Sequence, residues 1–140
     1  MAASPQEALR NVPIFSGLSD GDLELLARQM KERRFSEGSA VTKEGAGAAG
    51  FFVIVEGNAT VSVGGEVRAT LGPGDYFGEI ALIDEGARTA SVTAETDMTC
   101  YAMTLWEFRP IVETDARIAW KLVQALAHKL READARAGVP

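Results

Sequence analysis

Between positions 78 and 88 the chain holds a glycine, a glutamate and an arginine whose types and spacing suit the capture of a phosphorylated sugar. Gly78 permits a bound group to approach the backbone closely. The residues after it, Glu79-Ile80-Ala81-Leu82, suit one helical turn, whose first amides have no partner within the helix and attract an anion. Arg88 follows a turn at Glu85-Gly86 and offers a rigid fork of donors to phosphate oxygens. Glu79 offers a carboxylate that accepts from a sugar hydroxyl. On residue type alone, Glu79 and Arg88 are charged loop residues of the kind that is usually solvated or forms a weak surface ion pair.

These residues need a scaffold, and the chain divides into three patterns. From Ser19 to Lys31, Leu23, Leu25, Leu26, Ala27 and Met30 recur at helical spacing, with Ser19 as N-cap and Asp20 and Asp22 in the first turn. Ahead of it, Val12-Pro13-Ile14-Phe15 reads as a loop or short helix docked on the core. From Phe35 to Leu105 the pattern becomes short β-like runs: Phe51–Val55, Ala59–Val63, Val67–Leu71, Thr89–Ala94 and Met98–Thr104. Gly64-Gly65 marks a two-residue hairpin. After Leu105 the chain is helical again, first to Glu113, where Pro110 is tolerated only near the first turn or as a kink. A long helix then starts at Asp115 and ends near Arg136, with Ile118, Leu122, Leu126 and Leu130 every four residues. Trp106 and Trp120 read as packing residues.

The expected fold class is α+β: an antiparallel β jelly-roll barrel flanked by an N-terminal helix and C-terminal helices. All 140 residues form a single domain, with a helical N-terminus over 4–33, the barrel over 35–104 and helices over 105–136.

Composition removes several function classes. A net charge of −6 disfavours a broad nucleic-acid surface, though not the capture of one small anion. No apolar run approaches the ~20 residues that cross a bilayer. The polar N-terminus lacks the apolar stretch of a secretory signal. The lone Cys100, in an alternating run, reads as a buried thiol. A cytoplasmic location is therefore expected. One histidine, His128, cannot build the ligand set of a metal-dependent enzyme, and no nucleophilic constellation is present. The chain reads as no enzyme, with no metal and no cofactor.

The order of residues says more than their types. Phe77-Gly78-Glu79-Ile80-Ala81-Leu82 with Arg88-Thr89-Ala90 closely resembles the phosphate-binding cassette of the cyclic nucleotide-binding domain family, over residues 77–90. Val12 to Ser19, Phe52-Val53-Ile54-Val55-Glu56-Gly57 and Leu71-Gly72-Pro73-Gly74-Asp75 resemble further segments of that family, so the likeness spans roughly residues 10 to 136.

The resemblance implies a regulatory sensor that binds cAMP or cGMP and signals by moving its C-terminal helix. It implies that Glu79 accepts from the ribose 2′-hydroxyl, that Arg88 pairs with a phosphate oxygen, and that the amides of Ile80, Ala81 and Ala90 donate to the phosphate. Gly78 and Thr89 belong to the same ligand-binding set. Val61 and Ala69 fall where the family lines the base and sugar pocket, although a core strand alone explains Val61. Lys129, Arg131, Ala133 and Asp134 are placed to approach the base, or form a solvated face. Thr89 leaves the choice of base open. The partners left open are a homodimer and a fused or separate effector domain. A transcription regulator, channel or transporter would carry that effector, and a degenerate domain without ligand is the remaining alternative.

Overall fold

The computed structural model describes residues 4–42, 45, 50–84 and 90–138. Among these described residues, four α-helices, two 3-10 turns and eight strands follow in order. Helix α1 (Pro5–Arg10), a 3-10 turn (Pro13–Phe15) and α2 (Asp20–Ala27) precede β1 (Lys31–Phe35), β2 (Ala40–Thr42), β3 (Phe51–Glu56), β4 (Ala59–Val63), β5 (Glu66–Leu71) and β6 (Tyr76–Phe77). A second 3-10 turn (Ile80–Leu82), β7 (Ser91–Ala94), β8 (Met98–Met103), α3 (Leu105–Thr114) and α4 (Ala116–Arg136) complete the chain.

The strands form two four-stranded sheets, ordered β1-β8-β3-β6 and β2-β7-β4-β5, with all pairs antiparallel. This is a jelly-roll order. The expected antiparallel jelly roll flanked by helices is borne out, its two sheets not closed into a barrel among the described residues.

Two apolar layers result. Between the sheets lie Phe52, Ile54, Val92, Ala94, Met98, Cys100 and Ala102. On the other face of the first sheet, Phe51, Val53 and Met103 pack on Leu9, Phe15, Leu26, Phe108, Ile118 and Leu122 from the helices. Strand β3 is buried on both faces, which explains its unbroken apolar run rather than an alternating one.

Local signals set most element ends. Ser19 and Asp22 form a reciprocal capping box at α2, and Thr104 and Glu107 form another at α3. The Asp115 side chain accepts from the amides of Arg117 and Ile118 and starts α4. Gly64 and Gly65 both adopt positive φ, 60° and 81°, as a tight hairpin between twisted strands requires.

Two expectations are corrected, and the position of Pro110 in its helix is fixed. The helical N-terminus does not run to residue 33, because Lys31–Phe35 is an edge strand paired with β8. Pro110 lies inside α3, past the first turn; it cannot donate a bond backwards, while its own carbonyl accepts from Thr114 Oγ1 at 2.7 Å. Trp106 and Trp120 are 72% and 62% exposed, not core. Each stands two residues from a buried neighbour, Phe108 or Ile118, and two residues turn a helix by about 200°.

Candidate functional site

The site is built on the short link after β6. Phe77 pairs with Phe52 in register, and their rings stack with centroids 5.1 Å apart. Upstream, the Gly72 amide donates to Asp75 Oδ2 at 2.8 Å, and the Ile54 amide donates to the Asp75 carbonyl at 2.8 Å. The approach is therefore tied to the central strand before Gly78 turns the chain at φ 84°. That region is open to glycine at little steric cost and penalises other residues.

After Gly78 the chain forms the 3-10 turn Ile80–Leu82, as the spacing anticipates. Ala81 and Leu82 are buried and pin it, Leu82 within the helix-facing core. Ile80 is 44% exposed and Glu79 is half-buried. The Ala81 amide donates to the Gly78 carbonyl at 3.1 Å, and the Leu82 amide to the Glu79 carbonyl at 3.2 Å. The amides of Glu79 and Ile80 have no backbone acceptor among the described residues. The Glu79 carboxylate has no hydrogen-bond or ion-pair partner among them either. Burial, with the charges of Glu79 and Asp75, raises the Tyr76 phenol above its ordinary value. Among the described residues the turn thus presents two amides without a backbone acceptor and one carboxylate without a partner, the donors and acceptor that a phosphate and a sugar hydroxyl need.

Val61 and Ala69 are direct cross-strand partners on β4 and β5. Val61 also pairs with Val92 of β7, and Val92 pairs with Thr42 of β2. Paired residues share a sheet face, and Val92 belongs to the layer between the sheets, so Val92, Val61 and Ala69 line that space; Thr42 meets the row beside a register shift between Ala40 and Thr42, and its 5% exposure sets it on the same inner side. Burial falls along it, from Thr42 and Val92 at 5% and 4% through half-buried Val61 to exposed Ala69. The inner face is uncovered towards β5, which opens a way in. Ala90, half-buried, lies two residues before Val92 and joins this row to the turn's sequence neighbourhood. Arg88 and Thr89 lie outside the described residues.

On α4 the buried side chains are Ile118 and Leu122, both in the first two turns. Leu126 is half-buried against the helix-facing core, whereas Leu130 is 63% exposed, so the four-residue stripe leaves the core as it proceeds. Lys129 and Asp134 are half-buried, and Arg131 and Ala133 exposed. Sequence reasoning named Val61 and Ala69 but not Thr42. A single threonine in a three-residue strand carries no periodic signal; its placement comes only from the register with β7.

A family model described as a cyclic nucleotide-binding domain matches residues 32–115, more than half of the chain. The chain belongs to that family. This cyclic nucleotide-binding domain is 30% identical over 131 residues to the Cyclic AMP receptor protein of Thermus thermophilus, covering 90% of this chain and 61% of that protein. It is 39% identical over 93 residues to the cAMP-dependent protein kinase regulatory subunit of Mycosarcoma maydis, covering 64% of this chain and 18% of that subunit. Its fold is similar to the N-terminal domain of a transcriptional regulator from Streptomyces coelicolor, with a TM-score of 0.83 and 28% identity over 91% of this chain and 95% of that one. The domain thus spans less than two thirds of these two curated relatives. No helix among its described residues is long and apolar enough to cross a membrane.

Proposed function

We propose that this domain is a regulatory sensor for cAMP or cGMP, non-enzymatic and cytoplasmic, that reports occupancy through its C-terminal helix. The observation that carries the reading is the turn after Gly78, where the Glu79 carboxylate, without a partner among the described residues, stands beside the amides of Glu79 and Ile80, which have no backbone acceptor among them. In the proposed complex Glu79 accepts from the ribose 2′-hydroxyl, and Arg88 pairs with the cyclic phosphate. The amides of Ile80 and Ala90 donate to the phosphate. The Ala81 amide contributes only by sharing its bond to Gly78. Val61 and Ala69 flank the base and sugar, and Thr89 leaves the base undecided.

The output proposed is a change in the position of α4. Its first two turns are held by Ile118 and Leu122, and its later turns are largely uncovered, which suits a two-position element. The exposed Trp120, Val123 and Leu130 fit contact with a second copy or with an effector domain. Sedimentation of the purified chain with and without nucleotide decides between a dimer and a monomer.

Calorimetry of nucleotide-free protein against cAMP, cGMP and AMP tests the binding. Saturable binding of a cyclic nucleotide, with AMP at least tenfold weaker, is expected. Absence of binding to both cyclic nucleotides overturns the reading. Arg88→Ala is expected to cost about 2–5 kcal/mol of affinity, since it leaves a phosphate without its charged partner.

A further inference from the structure

Thr42 is 5% exposed, and its hydroxyl has no hydrogen-bond partner among the described residues. Buried hydroxyls are nearly always paired, because desolvating one without a partner costs free energy. Valine would fill the same volume at no such cost, so the presence of threonine calls for an explanation. Its neighbours supply one. Thr42 pairs with Val92, which shares the inner face with Val61 and Ala69. Two positions before Val92 stands Ala90, whose backbone is at most about 7 Å away along the chain. Directly paired strand residues face one another at about 5 Å. Thr42 is therefore on the inner row, beside the end of the segment to which the phosphate contacts are assigned.

We propose that Thr42 is a further ligand-contacting residue, its hydroxyl donating a hydrogen bond to an oxygen of the sugar–phosphate end of the bound nucleotide. The inference rests on the cyclic-nucleotide reading of the site and adds a polar contact from β2, the strand that pairs with β7 on the side away from β4. A β-branched side chain has few rotamers in a strand, so the hydroxyl is held in place before the ligand arrives. A hydroxyl without a partner among the described residues gains one on binding.

The test compares wild type, Thr42→Val and Thr42→Ser by calorimetry with cAMP and with cGMP, and by thermal melting without nucleotide. Thr42→Val is expected to bind about tenfold more weakly, the effect of losing one bond to a charged or strongly polar oxygen. Its melting temperature is expected to be equal or higher. Thr42→Ser keeps the donor and is expected to bind within about threefold of wild type. Unchanged affinity in Thr42→Val overturns the inference while leaving the cyclic-nucleotide reading intact. Equal losses of affinity in both variants, or a lowered melting temperature in Thr42→Val, overturn it in favour of a packing role. If wild type binds neither nucleotide, the reading of the site falls, and this inference with it.

Discussion

Lys121 Nζ lies 3.1 Å from Asp22 Oδ2, joining α4 to α2 across 99 residues of sequence. Asp22 is also half of the capping box with Ser19, and its side chain is 9% exposed against 31% for Lys121. The pair therefore fastens the start of the long helix to the helical layer, where Ile118 and Leu122 are already buried.

Removing one partner of a poorly solvated pair is costlier than the pair's net worth. Burial pushes the Asp22 carboxyl up, but hydrogen bonds from Ser19 and Lys121 and the Lys121 charge outweigh it and hold the group below its ordinary value. A carboxylate lowered on folding stabilises the native state above its unfolded value, about 3.9, and that stability is lost as pH falls through the folded value. Lys121→Met is expected to lose about 1–3 kcal/mol at pH 7, since the lysine is partly hydrated and the cap remains. The difference from wild type should shrink below about pH 4. Urea unfolding at both pH values checks this, and an equal difference at each excludes the ionic contribution.

Cys100 is fully buried between the sheets, and burial pushes its thiol up to about 12. Reaction with thiol reagents needs thiolate and access, so the native protein at pH 8 should resist a disulfide reagent for hours. In guanidinium it should react within minutes. Fast stoichiometric labelling of the folded protein would contradict this placement.

How far the sequence speaks for the fold depends on the range of the forces involved. The caps at Ser19 and Asp115 and the Gly64-Gly65 hairpin are local, and their spacing alone reveals them. Strand β1 is different: Lys31-Glu32-Arg33-Arg34 has no apolar alternation, because an edge strand with exposed side chains is kept charged against unwanted pairing. Whether the sheets close into a barrel depends on pairings far apart in sequence, which no local pattern encodes. In the candidate site, the turn after Gly78 is legible from a glycine followed by a helical run, the pattern on which the proposed anion cradle rests. Thr42 is not, since only the register of β2 against β7 brings it to the inner row.

Glu79 carries the sugar contact in the proposed complex, so its removal should act on the ribose hydroxyl and little else. Glu79→Gln is expected to weaken cAMP binding about tenfold or more, the loss of a bond to a charged acceptor. Wild type should prefer cAMP over 2′-deoxy-cAMP by a similar factor, and the variant should lose that preference. Melting temperature should hardly move, because the carboxylate is half-buried without a partner among the described residues. A variant that retains the preference would remove Glu79 from the sugar contact.

Trp106 on α3 and Trp120 on α4 make the proposed helix movement visible. Both indoles are mainly in water in the nucleotide-free protein, so emission should be red-shifted and open to acrylamide. Trp120 lies on the face of α4 opposite Ile118, two residues and about 200° away. A second copy or an effector surface closing on that face would shield Trp120 and leave Trp106 unaffected. In Trp106→Phe, a blue shift and reduced quenching on adding cAMP are expected if α4 acquires a partner or a new seat. An unchanged spectrum at saturating nucleotide, with binding verified by calorimetry, would mean that occupancy is not reported through this face of α4. The signal would then have to leave from α3 or from the distal turns after Leu126, where Leu130 is a large exposed apolar side chain.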